Sequence, residues 1–167
     1  MVLKSVIGFI CVLIFLSATS TFAITEQFDA GSGQNIANVY FEWSDGYKAQ
    51  FLVRFEQTTI KGTELLDIVE AYTDLTTVRL YGGAFVDGIS FNGHSNIGYS
   101  GGANWWHYWI KDSGETDWTS PAFGAASRVV YDGDSDGWIY GRDSAVPEPA
   151  SILLLGLGGL ILRRSRR

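Results

Sequence analysis

The chain has 167 residues, 46% hydrophobic and 14% aromatic, with twelve Lys and Arg against eighteen Asp and Glu. Five of the twelve cations, Lys4, Arg163, Arg164, Arg166 and Arg167, sit at the extreme ends and leave seven for everything between. So acidic a body excludes phosphate-backbone binding, which needs clustered Lys and Arg, and no nucleic-acid partner is expected.

The first 23 residues read as a signal peptide. Lys4 precedes an apolar run from Val6 to Leu16, and the segment ends in Thr21-Phe22-Ala23, a small-x-small cleavage pattern. That run falls well short of the roughly twenty apolar residues that cross a bilayer. Cleavage before Ile24 would remove Cys11, the sole cysteine, and leave no disulfide or thiolate chemistry in the exported chain.

Residues 24–145 are expected to form one α+β domain, with a single helix packed on a mixed or antiparallel sheet. Between residues 49 and 59, Phe51, Val53 and Phe55 alternate with Gln50, Leu52, Arg54 and Glu56, the period-two pattern of a half-buried strand. A helix follows, with Thr63 as the expected N-cap. Its buried face should be Leu65, Ile68, Val69 and Tyr72, and Glu64, Asp67, Glu70 and Asp74 should stay wet. Further strand-like runs occupy 76–83, 85–93, 104–112, 127–132 and 137–142, separated by Gly, Asn and Asp.

The run at 104–112 begins a stretch of fifteen residues, 104–118, that holds four of the six tryptophans. On a strand, Trp106, Tyr108 and Ile110 share one face, which is expected to be the core face. Trp105, His107 and Trp109 share the other. With Trp118 from the following loop they are the candidate ligand-binding residues, because spaced aromatic rings stack on a sugar ring or another small planar ligand. The alternative is that the loop folds over this face and makes a second minor core.

From Asp132 onward, DGDSDGWIYGRD places Asp132, Asp134, Asp136 and Asp143 at positions 1, 3, 5 and 12 of a calcium-loop template, so calcium is a possible cofactor. The flanks read as strands, which fits a hairpin turn instead. No nucleophile or zinc-hydrolase motif is present, and His94 has no HxH or HxxxH partner, so catalysis is not expected. A polysaccharide-active pair of carboxylates is the least supported alternative.

The last 22 residues carry three features in a fixed order. Pro147-Glu148-Pro149 comes first, then an eleven-residue apolar stretch from Ile152 to Leu162, then Arg163, Arg164, Arg166 and Arg167. Prolines lack amide donors and disfavour helix, so the triplet should be an extended handle outside the bilayer, with the arginines held on the cytoplasmic side. This pattern resembles the PEP-CTERM sorting signal. The resemblance implies membrane attachment through the C-terminal helix before processing, then cutting by an exosortase and re-attachment near the motif, at the envelope, outer surface or extracellular matrix, with exopolysaccharide as a possible partner.

A second resemblance spans about 50–141. Leu65-Leu66-Asp67, Tyr81-Gly82, Ile89 to Gly93, Trp106-His107-Tyr108-Trp109, Gly124-Ala125, Asp132-Gly133-Asp134 and Trp138-Ile139-Tyr140 together look like the C-terminal domain of transcobalamin-type proteins. That resemblance implies a β-grasp-like domain and a binding module. The helical barrel that completes a corrinoid site has no counterpart in this sequence, so a tetrapyrrole or corrinoid stands as an alternative ligand beside calcium-dependent glycan binding.

Overall fold

A computed structural model describes residues 26–142, and the structural statements below concern those residues. The expected signal peptide, Asp143 and the expected C-terminal sorting segment lie outside them.

The main sheet is mixed and has five strands: β1 (Glu26–Gly31), β2 (Asn35–Glu42), β3 (Lys48–Phe55), β8 (Trp106–Lys111) and β10 (Ser135–Tyr140), in the order β1-β3-β2-β10-β8. β2 and β3 form an antiparallel hairpin. Its turn is closed by the Gly46 N–H on Trp43 O (3.0 Å) and by the Tyr47 N–H on Asp45 Oδ1 (3.0 Å), with Gly46 at φ 88°. β10 enters the middle of the sheet, parallel to β2 and antiparallel to β8. It is buried on both faces, as a central strand must be.

The expected alternation in 49–59 is present: Phe51, Val53 and Phe55 point into the core. The rest of the core comes from Phe41 and Val39 of β2, Trp138 of β10, Trp106 of β8 and the helix. Two strands, β1 and β2, have no clear sequence signature. β1 is mostly exposed, and the end of β2 is buried on consecutive residues, so neither shows period two.

The helix α1 (Gly62–Tyr72) crosses this sheet. It starts one residue before the expected cap. Lys61, not Thr63, is the N-cap, and its N–H donates to Glu64 Oε2 at 2.5 Å, so the carboxylate at N3 reaches back to the cap backbone. Leu65, Leu66 and Val69 are fully buried, and Ile68 packs against them partly exposed. Tyr72 is 60% exposed, contrary to the expectation from spacing, because it closes the last turn. The next residue ends the helix: Thr73 Oγ1 donates to Val69 O at 2.7 Å.

A second, antiparallel sheet holds β5 (Thr76–Leu80), β6 (Phe85–Phe91) and β7 (His94–Ile97) in that order. It is tied to α1 by Arg79, which donates to Asp67 and Glu70 at 2.6 Å each. Two of the helix carboxylates expected to face water are therefore engaged. Buried indoles tie it to the main sheet: Trp43 Nε1 donates to Ile89 O and Trp106 Nε1 to Asn96 O, both at 3.0 Å. A two-residue ladder joins β4 (Ile60–Lys61) to β9 (Val129–Val130). The acidic turn at 131–134 links β9 to β10, which pair with different partners, so it is a β-turn between sheets and not a hairpin.

Candidate functional site

Four tryptophans between 104 and 118 cannot share one environment, and the fold separates them. Trp106 is core. Trp109 and Trp118 lie on the outer face of the main sheet against Tyr40 and Ile139, where they form the minor second core foreseen as an alternative. Lys111 Nζ lies 5.2 Å from the centre of the Trp118 ring. Trp105 stands apart: its ring contacts His107 at 3.9 Å between centroids and lies nearly parallel to Phe85 at 6.4 Å. His107 is only 6% exposed, and its Nε2 donates to Ala103 O at 3.0 Å. The four candidate ligand residues are thus divided between two places.

Trp105 opens onto a cleft of about 290 Å³ between the β6 end of the second sheet, the start of β8 and the loop 120–125. Phe85, Trp105, Trp106, Tyr108, Phe123 and Trp138 contribute rings to its lining. The far wall is held tightly. A Cβ on Gly124 would lie 1.8 Å from Ala84 O, so only glycine lets the loop close against the second sheet there. Phe123 is 45% exposed beside it. Sequence reading missed Phe85 and Phe123 because they come from loop and strand ends distant in sequence, and only the tertiary fold joins them to Trp105.

Behind Tyr108 lies a buried charge cluster that was likewise not anticipated. The Tyr108 hydroxyl donates to Asp136 Oδ2 at 2.6 Å, and Asp136 is fully buried. Arg128 donates through Nη2 to Asp134 Oδ2 at 2.9 Å and pairs with Asp112 at 2.6 Å. Its Nε lies 3.5 Å from Asp136 Oδ1, too long for a hydrogen bond, and neither atom has another hydrogen-bond partner among the described residues. Asp134 also accepts the backbone N–H groups of Tyr131 (2.9 Å) and Ser113 (2.8 Å). Burial pushes the Asp136 carboxyl up to about 6, against the opposing pull of the Tyr108 hydrogen bond and Arg128. Burial, with the nearby Asp136 charge, also pushes the Tyr108 hydroxyl well above its ordinary range. For Arg128, burial would favour the neutral form, but the bond to Asp112 and the charges of Asp136, Asp134 and Asp112 outweigh it and raise its affinity for the proton.

The aspartates of the calcium-loop template are therefore drawn into other bonds. Asp132 Oδ1 accepts the Ile36 N–H at 2.8 Å, and Asp134 and Asp136 turn inward to Arg128 and Tyr108. Among the described residues no group of three or more His, Cys, Asp or Glu side chains converges as a metal site would require, and Asp143 lies outside them. Nor is any helix among the described residues long and apolar enough to cross a membrane.

Comparison with known proteins speaks to the tail. No curated protein and no solved structure matches the chain. The family model described as the PEP-CTERM protein-sorting motif matches residues 145–167, the segment holding Pro147, Glu148, Pro149 and the terminal arginines. The chain thus carries the sorting motif of an exported, exosortase-processed protein of the cell envelope.

Proposed function

We propose that residues 24–145 form a non-catalytic, β-grasp-like binding module that the sorting signal delivers to the outer surface or extracellular matrix. The observation that carries this reading is the aromatic cleft, a concave site built on two sheets and closed by a glycine-dependent loop. The β-grasp reading draws support from the strand order: a hairpin, one crossing helix, then a last strand inserted parallel to the first strand of that hairpin. A non-catalytic role is favoured because the buried carboxylates at the cleft are bonded to Tyr108, Arg128 and backbone amides instead of facing it.

The cleft also bears on the ligand. At about 290 Å³ it falls at the small end of ligand pockets, far below the size of a corrinoid or tetrapyrrole. The transcobalamin-like motifs serve the fold instead: Leu65 and Leu66 fill the core, Asp134 pairs with Arg128, and Trp138 stacks on Phe41. We therefore favour a small organic ligand over either macrocycle.

Intrinsic tryptophan fluorescence of the chain as isolated after export tests this, titrated with small organic cations, soluble polysaccharides, haem and cobalamin. A saturable change with one class, weakened in Trp105→Ala but retained in Trp109→Ala, is the expected outcome. No response to any class would instead make the domain a structural matrix component.

A further inference from the structure

We infer that the aromatic cleft takes a small quaternary ammonium group, a trimethylammonium cation carried on a free solute or a lipid headgroup. The inference rests on the binding-module reading and names its ligand.

Three ligand chemistries can be compared at this surface. An anion finds no Lys or Arg in the lining. A sugar needs hydrogen-bonding partners for several hydroxyls, but the only side-chain hydroxyls lining the cleft are Ser120 and Tyr108, and the Tyr108 O–H already donates its hydrogen bond to Asp136 Oδ2 at 2.6 Å. A quaternary ammonium needs no hydrogen bond at all. It is stabilised by the negative faces of aromatic rings, and six ring-bearing residues line this small space.

Charge agrees with ring chemistry. Directly behind Tyr108, three carboxylates, Asp112, Asp134 and Asp136, surround the single guanidinium of Arg128, which leaves the cluster net negative. The Tyr108 hydroxyl points into that cluster, so the field it feels is that of an anion. The body as a whole is acidic, which draws cations toward it from solution. A neutral apolar group of the same shape would fill the same space without using this charge, so the pair of ligands isolates the claim.

The experiment uses the chain as isolated after export, in buffer free of choline-headed detergents. Tryptophan fluorescence and calorimetry follow titration with choline and with its neutral isostere 3,3-dimethyl-1-butanol. Choline is expected to bind about three- to thirtyfold more tightly than the isostere, the range of a cation–aromatic contact. Phe123→Ala, at an exposed wall position, should weaken choline at least about threefold, and Phe123→Tyr should restore it. Co-sedimentation with phosphatidylcholine vesicles, but not phosphatidylglycerol vesicles, would assign the cation to a headgroup. Choline binding without co-sedimentation would assign it to a free solute. Equal or tighter binding of the isostere overturns the cation and leaves a neutral-ligand module. Saturation by a polysaccharide alone also overturns it while keeping the module. No response to any ligand removes both.

Discussion

Asp136 is the residue whose placement most changes the reading of the sequence. At the level of motif it belongs to a calcium loop, but 134, 136, 138 and 140 share one face of a strand, and Trp138 and Tyr140 on that face are buried. The carboxylates in phase with them must turn inward, and Arg128 is the cation that makes this tolerable. Alternation does not announce this, because β10 is buried on both faces, and the partner is hidden as well, because Arg128 reaches the cluster from a neighbouring segment outside the strand. A consequence can be measured. The Asp136 carboxyl holds its proton up to about 6 in the folded state, against an ordinary value near 4, so the native chain binds more protons than the unfolded one between those values. Its contribution to stability is present at about pH 4 and is lost as pH rises toward 6. Asp136→Asn keeps an acceptor for Tyr108 and removes the titration. Relative to wild type, the variant should gain stability between pH 4 and 6, by on the order of 2–3 kcal/mol, and no more above pH 7. Denaturant unfolding at four pH values checks this, and parallel curves would contradict it.

At the scale of elements, the sequence was most informative where one face of a segment is buried and least where both or neither are. β3 shows clean alternation, and the existence of α1 follows from its spacing. β1 and the central strands hide, since an edge strand with little burial and strands covered on both sides show no period. The start of α1 turns on a glycine whose reason is tertiary. A Cβ on Gly62 would meet Asp136 Oδ2 and Ala125 O at 2.9 Å and the Tyr108 hydroxyl at 3.1 Å. Alanine in a helix normally gains up to about 1 kcal/mol over glycine. At this position steric displacement of a buried hydrogen-bonded pair should win, so Gly62→Ala is expected to destabilise by about 1–3 kcal/mol. A chemical-denaturation midpoint above that of wild type would show the helix start to be roomier than the packing implies.

For the whole molecule, the two informative parts answer different questions. The tail is legible because the sorting motif is a linear order of Pro-Glu-Pro triplet, apolar stretch and basic end, which a sequence displays directly. The cleft depends on Phe85, Trp105 and Phe123 meeting in space, and nothing in their spacing announces it. Of the four aromatic candidates read from the strand, Trp105 lines the cleft, His107 contacts Trp105 from its buried position, and Trp109 and Trp118 belong to the outer-face cluster. Delivery and the proposed binding role are therefore separable, and changing the tail should leave the folded body intact.

The most direct test of the account is the intact mass of the chain recovered from the envelope of a bacterium that carries an exosortase. Wild type should be found without its N-terminal 23 residues and without the apolar and arginine-rich end of its tail. A variant with Pro147, Glu148 and Pro149 replaced by alanine should lose the signal peptide but retain that end and stay with the membrane. Maturation of the variant to the same mass as wild type would contradict the account.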